Sequence, residues 1–142
     1  MTVAIKRVYE APSPQDGARV LVDRLWPRGL TKEAAALDSW LRDVAPSNEL
    51  RKWIHSHPLQ WSKFRDKYLR ELASETGNRA LQQLYEIAKR NRRLTLLYAA
   101  KDEEHNNAAV LKQLLDGNRK PPTGTGPIRA TSARRARAAR PK

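Results

Sequence analysis

Apolar positions along the chain fall either into short continuous runs or into spaced stripes, and the two patterns predict different elements. Thr2 to Tyr9 (TVAIKRVY) is short and β-branched, which predicts a strand. Ala11 to Gly17 (APSPQDG) carries two prolines and an Asp-Gly pair, a turn signal. Ala18 to Asp23 is a second strand, and its centre, Val20-Leu21-Val22, is continuous rather than alternating. A strand covered on both faces reads that way. The link between these two strands is short and favours a hairpin, because a parallel crossover normally takes a dozen or more residues. A helical turn within Ser13 to Asp16 would still permit a parallel link.

The middle of the chain changes period. Thr31 reads as an N-cap with Glu33 in the first turn, and Leu37, Trp40, Leu41 and Val44 then follow helical spacing up to Pro46. Ser47 caps a second helix with Leu50, Trp53 and Ile54 on one face, broken at His55-Ser56-His57-Pro58. Trp61, Phe64, Tyr68 and Leu72 mark a third helix, ending near Gly77. Asn78 opens a fourth, with Leu81, Leu84, Tyr85 and Ala88 inward and basic residues at its end. Trp40, Trp53 and Trp61 lie on these stripes and read as core. Leu94 to Ala100 is the third strand, another continuous apolar run, and Ala108 to Leu115 a final helix stopped by Gly117. The expected fold is α/β: a small, mostly parallel three-stranded sheet covered by about five helices, in one domain over residues 1–117.

Composition splits this picture in two. The net charge of +13 is uneven, because residues 118–142 hold eight Lys and Arg and no acid, leaving 20 basic and 15 acidic residues, or +5, in the rest. The last segment is rich in Pro, Gly, Thr, Ala and Arg and is expected to be disordered. Arg134, Arg135, Arg137 and Arg140 make it a polybasic arm suited to nucleic-acid phosphates without sequence reading. A solvated tail with no partner is the plain alternative, and a membrane surface is disfavoured because no apolar anchor accompanies the charge. No apolar run approaches the ~20 residues of a membrane helix, and no secretory signal is visible, so the expected location is cytoplasmic. The absence of cysteine excludes disulfides, thiolate metal sites and thiol nucleophiles.

Candidate chemistry lies where two strands run into charged loops. One is Asp23-Arg24-Leu25-Trp26-Pro27-Arg28-Gly29, the other Lys101-Asp102-Glu103-Glu104-His105-Asn106-Asn107. If their strands are parallel neighbours, both loops open on the carboxyl edge of the sheet, where α/β folds bind ligands. Arg24, Arg28 and Lys101 would attract an anionic small molecule, Asp23, Trp26, Asn106 and Asn107 would line the site, and Asp102 or His105 would handle a proton. The competing reading is structural: Asp23 and Arg24 pair with Lys101 and Asp102, the asparagines cap a helix, and Trp26 packs its loop onto the first helix. His55, His57 and His105 make a poor zinc pattern. Nucleophilic-serine, Walker and dinucleotide motifs are absent, so no cofactor is expected.

Lys6-Arg7-Val8-Tyr9, Asp16-Gly17, the run Arg19 to Gly29 and the run Leu96 to Ala108 together closely resemble the YeaO-like family. These are small bacterial proteins grouped as a domain of unknown function. The resemblance covers about Val3 to Leu115 and leaves the basic tail outside. It implies a compact α/β domain with both motif loops at one sheet edge, and it brings no reaction. More distant members look to carry a cysteine where the helix after the last strand begins. Asn106 and Asn107 occupy that region here, which argues against thiol chemistry.

Overall fold

Val20, Leu21 and Val22 are wholly buried, as the continuous run requires. They belong to or directly follow strand β2 (Ala18–Leu21), which lies inside a sheet rather than at its edge. The computed structural model describes residues 2–117. It contains β1 (Thr2–Arg7), β2, β3 (Ser39–Trp40) and β4 (Arg93–Tyr98), in the order β1-β4-β2-β3. All three pairings are parallel. The sheet therefore has four strands rather than the three expected. β1 and β2 form no hairpin; β4 lies between them and pairs with both.

The short β1–β2 link manages a parallel return because one turn of 3₁₀ helix, Pro14–Asp16, compacts it. Ser13 and Asp16 cap that turn reciprocally. Gly17 follows at φ +66, where a Cβ would lie 2.3 Å from the Arg93 carbonyl oxygen, so only glycine passes this close to β4. The Asp16 carboxylate is buried and held by Lys6 of β1 at 3.1 Å and Arg19 of β2 at 2.5 Å. The loop is thus clasped between the strands it joins.

Among the described residues there are five α-helices: α1 (Lys32–Ala35), α2 (Asn48–Ser56), α3 (Trp61–Ala73), α4 (Glu75–Arg90) and α5 (Asn107–Gly117). Val20, Val22, Leu94, Leu96 and Tyr98 join the main core with residues of α2, α3, α4 and α5. Leu21 and Leu97 point the other way, into a smaller cluster with Val8, Trp26, Leu30, Leu37 and Trp40. The period-two alternation of the strands divides the two cores.

The expected helix over Thr31 to Ala45 is replaced. α1 is a single turn that ends at Ala36 in the left-handed region, φ 48 and ψ 52. Arg19 takes its last carbonyls, with Nη2 donating to Ala35 at 2.7 Å and Nε to Ala36 at 3.0 Å. Asp38 and Leu41 then bond the backbone of Arg19 and Leu21, which lays Ser39–Trp40 along the β2 edge. The apolar residues of the supposed stripe are still used, but on two faces: Leu37 and Trp40 in the small cluster, Leu41 and Val44 in the large one.

Candidate functional site

β2 and β4 are parallel neighbours, so the loops after them leave the sheet at the same edge. Two bonds join those loops directly. The Ala99 amide donates to the Asp23 carboxylate at 2.9 Å, and Asn107 Nδ2 donates to the Val22 carbonyl at 2.7 Å. Asn107 is the first residue of α5 and is buried, so its side chain reaches back under the sheet edge rather than capping its own helix. That local task falls to Asn106, whose Oδ1 accepts from the Ala109 amide at 2.8 Å while its Nδ2 donates to the Asp102 carbonyl.

A buried polar cluster gathers around these two residues. Burial pushes the Asp23 carboxyl above its ordinary range, against the Ala99 amide, the Asn107 side chain and the positive charge of Arg51 from α2. Tyr68 of α3 is wholly buried and donates its hydroxyl to the Val44 carbonyl at 2.5 Å. Burial, with the charges of Asp23 and Glu71, raises its phenol well above normal, while Asn107 and Arg24 pull the other way. It therefore stays protonated. Arg51 is half-buried; its Nη2 lies 3.5 Å from Asn48 Oδ1, while its buried Nε has no hydrogen-bond partner.

The other predicted residues are distributed more widely. Arg24 is turned to the backbone: Nε and Nη2 donate to the carbonyls of Pro46 and Ala45 at 3.1 and 3.0 Å, and Nη1 lies 3.7 Å from Asp43. It ties the β2 loop to the entry of α2. Trp26 packs edge-on against Trp40 with ring centres 5.4 Å apart and donates Nε1 to the Leu30 carbonyl at 2.6 Å. It meets β3, which stands where the first helix was expected. Trp40 in turn donates Nε1 to the Asp23 carbonyl at 2.7 Å, from the edge strand rather than a helical stripe. Arg28 and Lys101 are exposed, and the Arg28 carbonyl accepts from Tyr9.

Asp102 and His105 come together, with His105 Nδ1 3.7 Å from Asp102 Oδ2 and the His105 amide donating to Oδ1 at 2.9 Å. The amides of His105 and Glu104 hold the Asp102 carboxyl below its usual range. Both side chains are more than half exposed, and the His105 ring stacks on Trp61 rather than on the Asp23 cluster. His57 is bound to the Trp53 carbonyl and stacked on that ring. Among the described residues no group of three or more His, Cys, Asp or Glu is placed to hold a metal ion. Arg134, Arg135, Arg137 and Arg140 lie outside the described residues.

Arg51 and Tyr68 were not apparent as site residues. Their only sequence signals are a cation beside the apolar face of α2 and a hydroxyl within an apolar stripe. Neither gives a direction until the strand order is known.

A family model described as the inactive DUF488-N3 subclade matches residues 2–126. The chain is 46% identical over 117 residues to the uncharacterized protein YeaO of Escherichia coli K12, across 81% of this chain and 97% of that one. The chain belongs to this YeaO-like family. It is also 42% identical over 115 residues to uncharacterized proteins of Mycobacterium tuberculosis (Rv3073c) and Mycobacterium bovis (Mb3100c), covering 81% of this chain and 94% of each. No solved structure matches it. Among the described residues of this family member, no helix is long and apolar enough to cross a membrane.

Proposed function

We propose that this family member is a binding domain for a small anionic molecule, seated at the carboxyl edge of the sheet and held without covalent chemistry. The observation that carries the reading is the buried Arg51 Nε, a donor left without a partner among the described residues, on a side chain whose charge is felt by the Asp23 carboxyl. Buried donors are nearly always satisfied, and an orphan at a ligand-binding edge is a place for a ligand acceptor. Arg51 supplies the anion contact, and Asp23 and Asn107 supply acceptors and donors for the rest of the ligand. Exposed Arg28 and Lys101 add positive charge on the two loops. Chemistry by a nucleophile has little to draw on. The chain has no cysteine, the Tyr68 phenol is held protonated, and the Ser47 hydroxyl is engaged by Glu71 and the Leu50 amide. The matching subclade's description as inactive agrees with this. Exposed Asp102 and His105 then serve the loop rather than proton transfer.

A thermal-shift series with inorganic phosphate, sulfate and small carboxylates tests it. Wild type should gain several degrees with at least one anion, and Arg51→Met should gain none. No shift with any of them, or equal shifts in both proteins, would reject the site.

A second reading rests on composition. Residues 118–142, with eight basic and no acidic residues, are suited to nucleic-acid phosphates. Replacing Arg134, Arg135, Arg137 and Arg140 by Gln should abolish a low-salt gel shift of RNA or DNA; an unchanged shift would end that reading.

A further inference from the structure

An aromatic ladder leads from the surface to the polar cluster, and no function described so far uses it. His105 stacks on Trp61 with centres 4.9 Å apart and planes at 19°. Trp61 stacks on Phe64 at 4.7 Å and 24°, and Phe64 leans on Tyr68 at 5.8 Å. Phe64 and Tyr68 are buried, Trp61 is half-buried and His105 is exposed. A buried phenyl and an exposed imidazole thus both stack on the indole.

We infer that the Trp61 face under His105 is the seat of a planar heteroaromatic ring, which makes the anionic ligand a nucleoside monophosphate. This inference rests on the anion site proposed at Arg51. At that face the His105 side chain is held by the stack and by Asp102 Oδ2, 3.7 Å from its Nδ1, with 52% of the side chain exposed. The backbone around it is fixed independently, by Asp102 Oδ1 accepting from the Glu104 and His105 amides and by Asn106 bonding the Asp102 carbonyl. The ring can therefore swing aside by side-chain rotation while the loop keeps its shape. The vacated indole offers the flat, electron-rich surface on which nucleobases stack regardless of sequence. The ladder's inner end, Tyr68, feels the Asp23 charge and the Asn107 side chain, and the start of α2, which carries Arg51, is fastened to α3 where Ser47 donates from its amide and hydroxyl to Glu71 at 2.8 and 2.6 Å. One face of α3 thus links a ring seat to a phosphate contact.

Calorimetry and tryptophan fluorescence on the full chain test this with three probes: adenosine 5′-monophosphate, ribose 5-phosphate and adenosine. The nucleotide should bind about tenfold or more tighter than ribose 5-phosphate and quench fluorescence, as one stacked base is worth roughly that. His105→Trp should weaken the nucleotide about tenfold by wedging the seat while leaving ribose 5-phosphate unchanged. His105→Ala, the milder variant, should bind the nucleotide as well as wild type or better. Equal affinity for nucleotide and ribose 5-phosphate would overturn the ring seat and leave the anion site standing. A tenfold loss of nucleotide affinity in His105→Ala would overturn the displacement. No binding of either phosphate would overturn both.

Discussion

Asp16 concentrates more interactions than any residue singled out for chemistry, and its charge is predicted to set the protein's acid sensitivity. Burial opposes its ionisation, but the Ser13 amide, Lys6 and Arg19 outweigh that and hold its carboxyl below the usual value. A depressed folded pKa means the ionised form is favoured by folding. That stability is fully present above the ordinary carboxylate value near 4 and is lost as pH falls through the folded value. Asp16→Asn should cost about 3 kcal/mol at pH 7, because Arg19 is left buried without its anion. Urea melts at pH 7 and pH 3 should show the gap between mutant and wild type narrowing in acid. A constant gap would mean the ion pair contributes nothing. Asp23 works with the opposite sign. Its raised pKa makes ionisation cost stability as pH climbs from the ordinary value through the raised one. Its strand-end position was visible in sequence, but its surroundings were not, because Arg51 and Tyr68 arrive from helices far along the chain.

At the scale of elements, the strands were legible and the helix boundaries less so. Continuous runs such as Val20 to Val22 and Leu94 to Tyr98 announce buried strands because both faces are covered. Period alone misled at Leu37 to Val44. An i, i+3, i+4, i+7 pattern also fits a short edge strand followed by a 3₁₀ turn when the residues serve two cores, and Arg19 decides between them. The α3–α4 junction is a second case. Gly77 suggests a helix stop, yet α3 ends at Ala73, Ser74 caps α4, and Gly77 lies in the first turn of α4. A Cβ there would come 2.2 Å from the Glu71 carbonyl oxygen. In an exposed helix Gly→Ala stabilises by about 1 kcal/mol; here Gly77→Ala should destabilise by about 2 kcal/mol or more through overpacking. Denaturant melts that showed a gain would refute this packing of α3 against α4.

For the molecule as a whole, sequence located the edge but not which of its polar groups are spent. Arg24, Trp26 and Asn106 are engaged in holding the loops, Arg24 on the carbonyls of Ala45 and Pro46 rather than in a charge pair with the Lys101–Asp102 loop. Asn107 and Asp23 join the two loops and also face the cluster. Among the described residues, Arg51 alone has a buried side-chain donor without a hydrogen-bond partner. A group kept for a ligand should contribute little to folding, or even oppose it, because an unmade buried hydrogen bond costs about 1–3 kcal/mol. A group kept for the fold behaves the other way. The most direct measurement is therefore the ligand-free denaturation midpoint of Arg51→Met against wild type at pH 7. The site account predicts a midpoint equal to or above wild type. A loss of about 2 kcal/mol would make Arg51 a structural tie and contradict it.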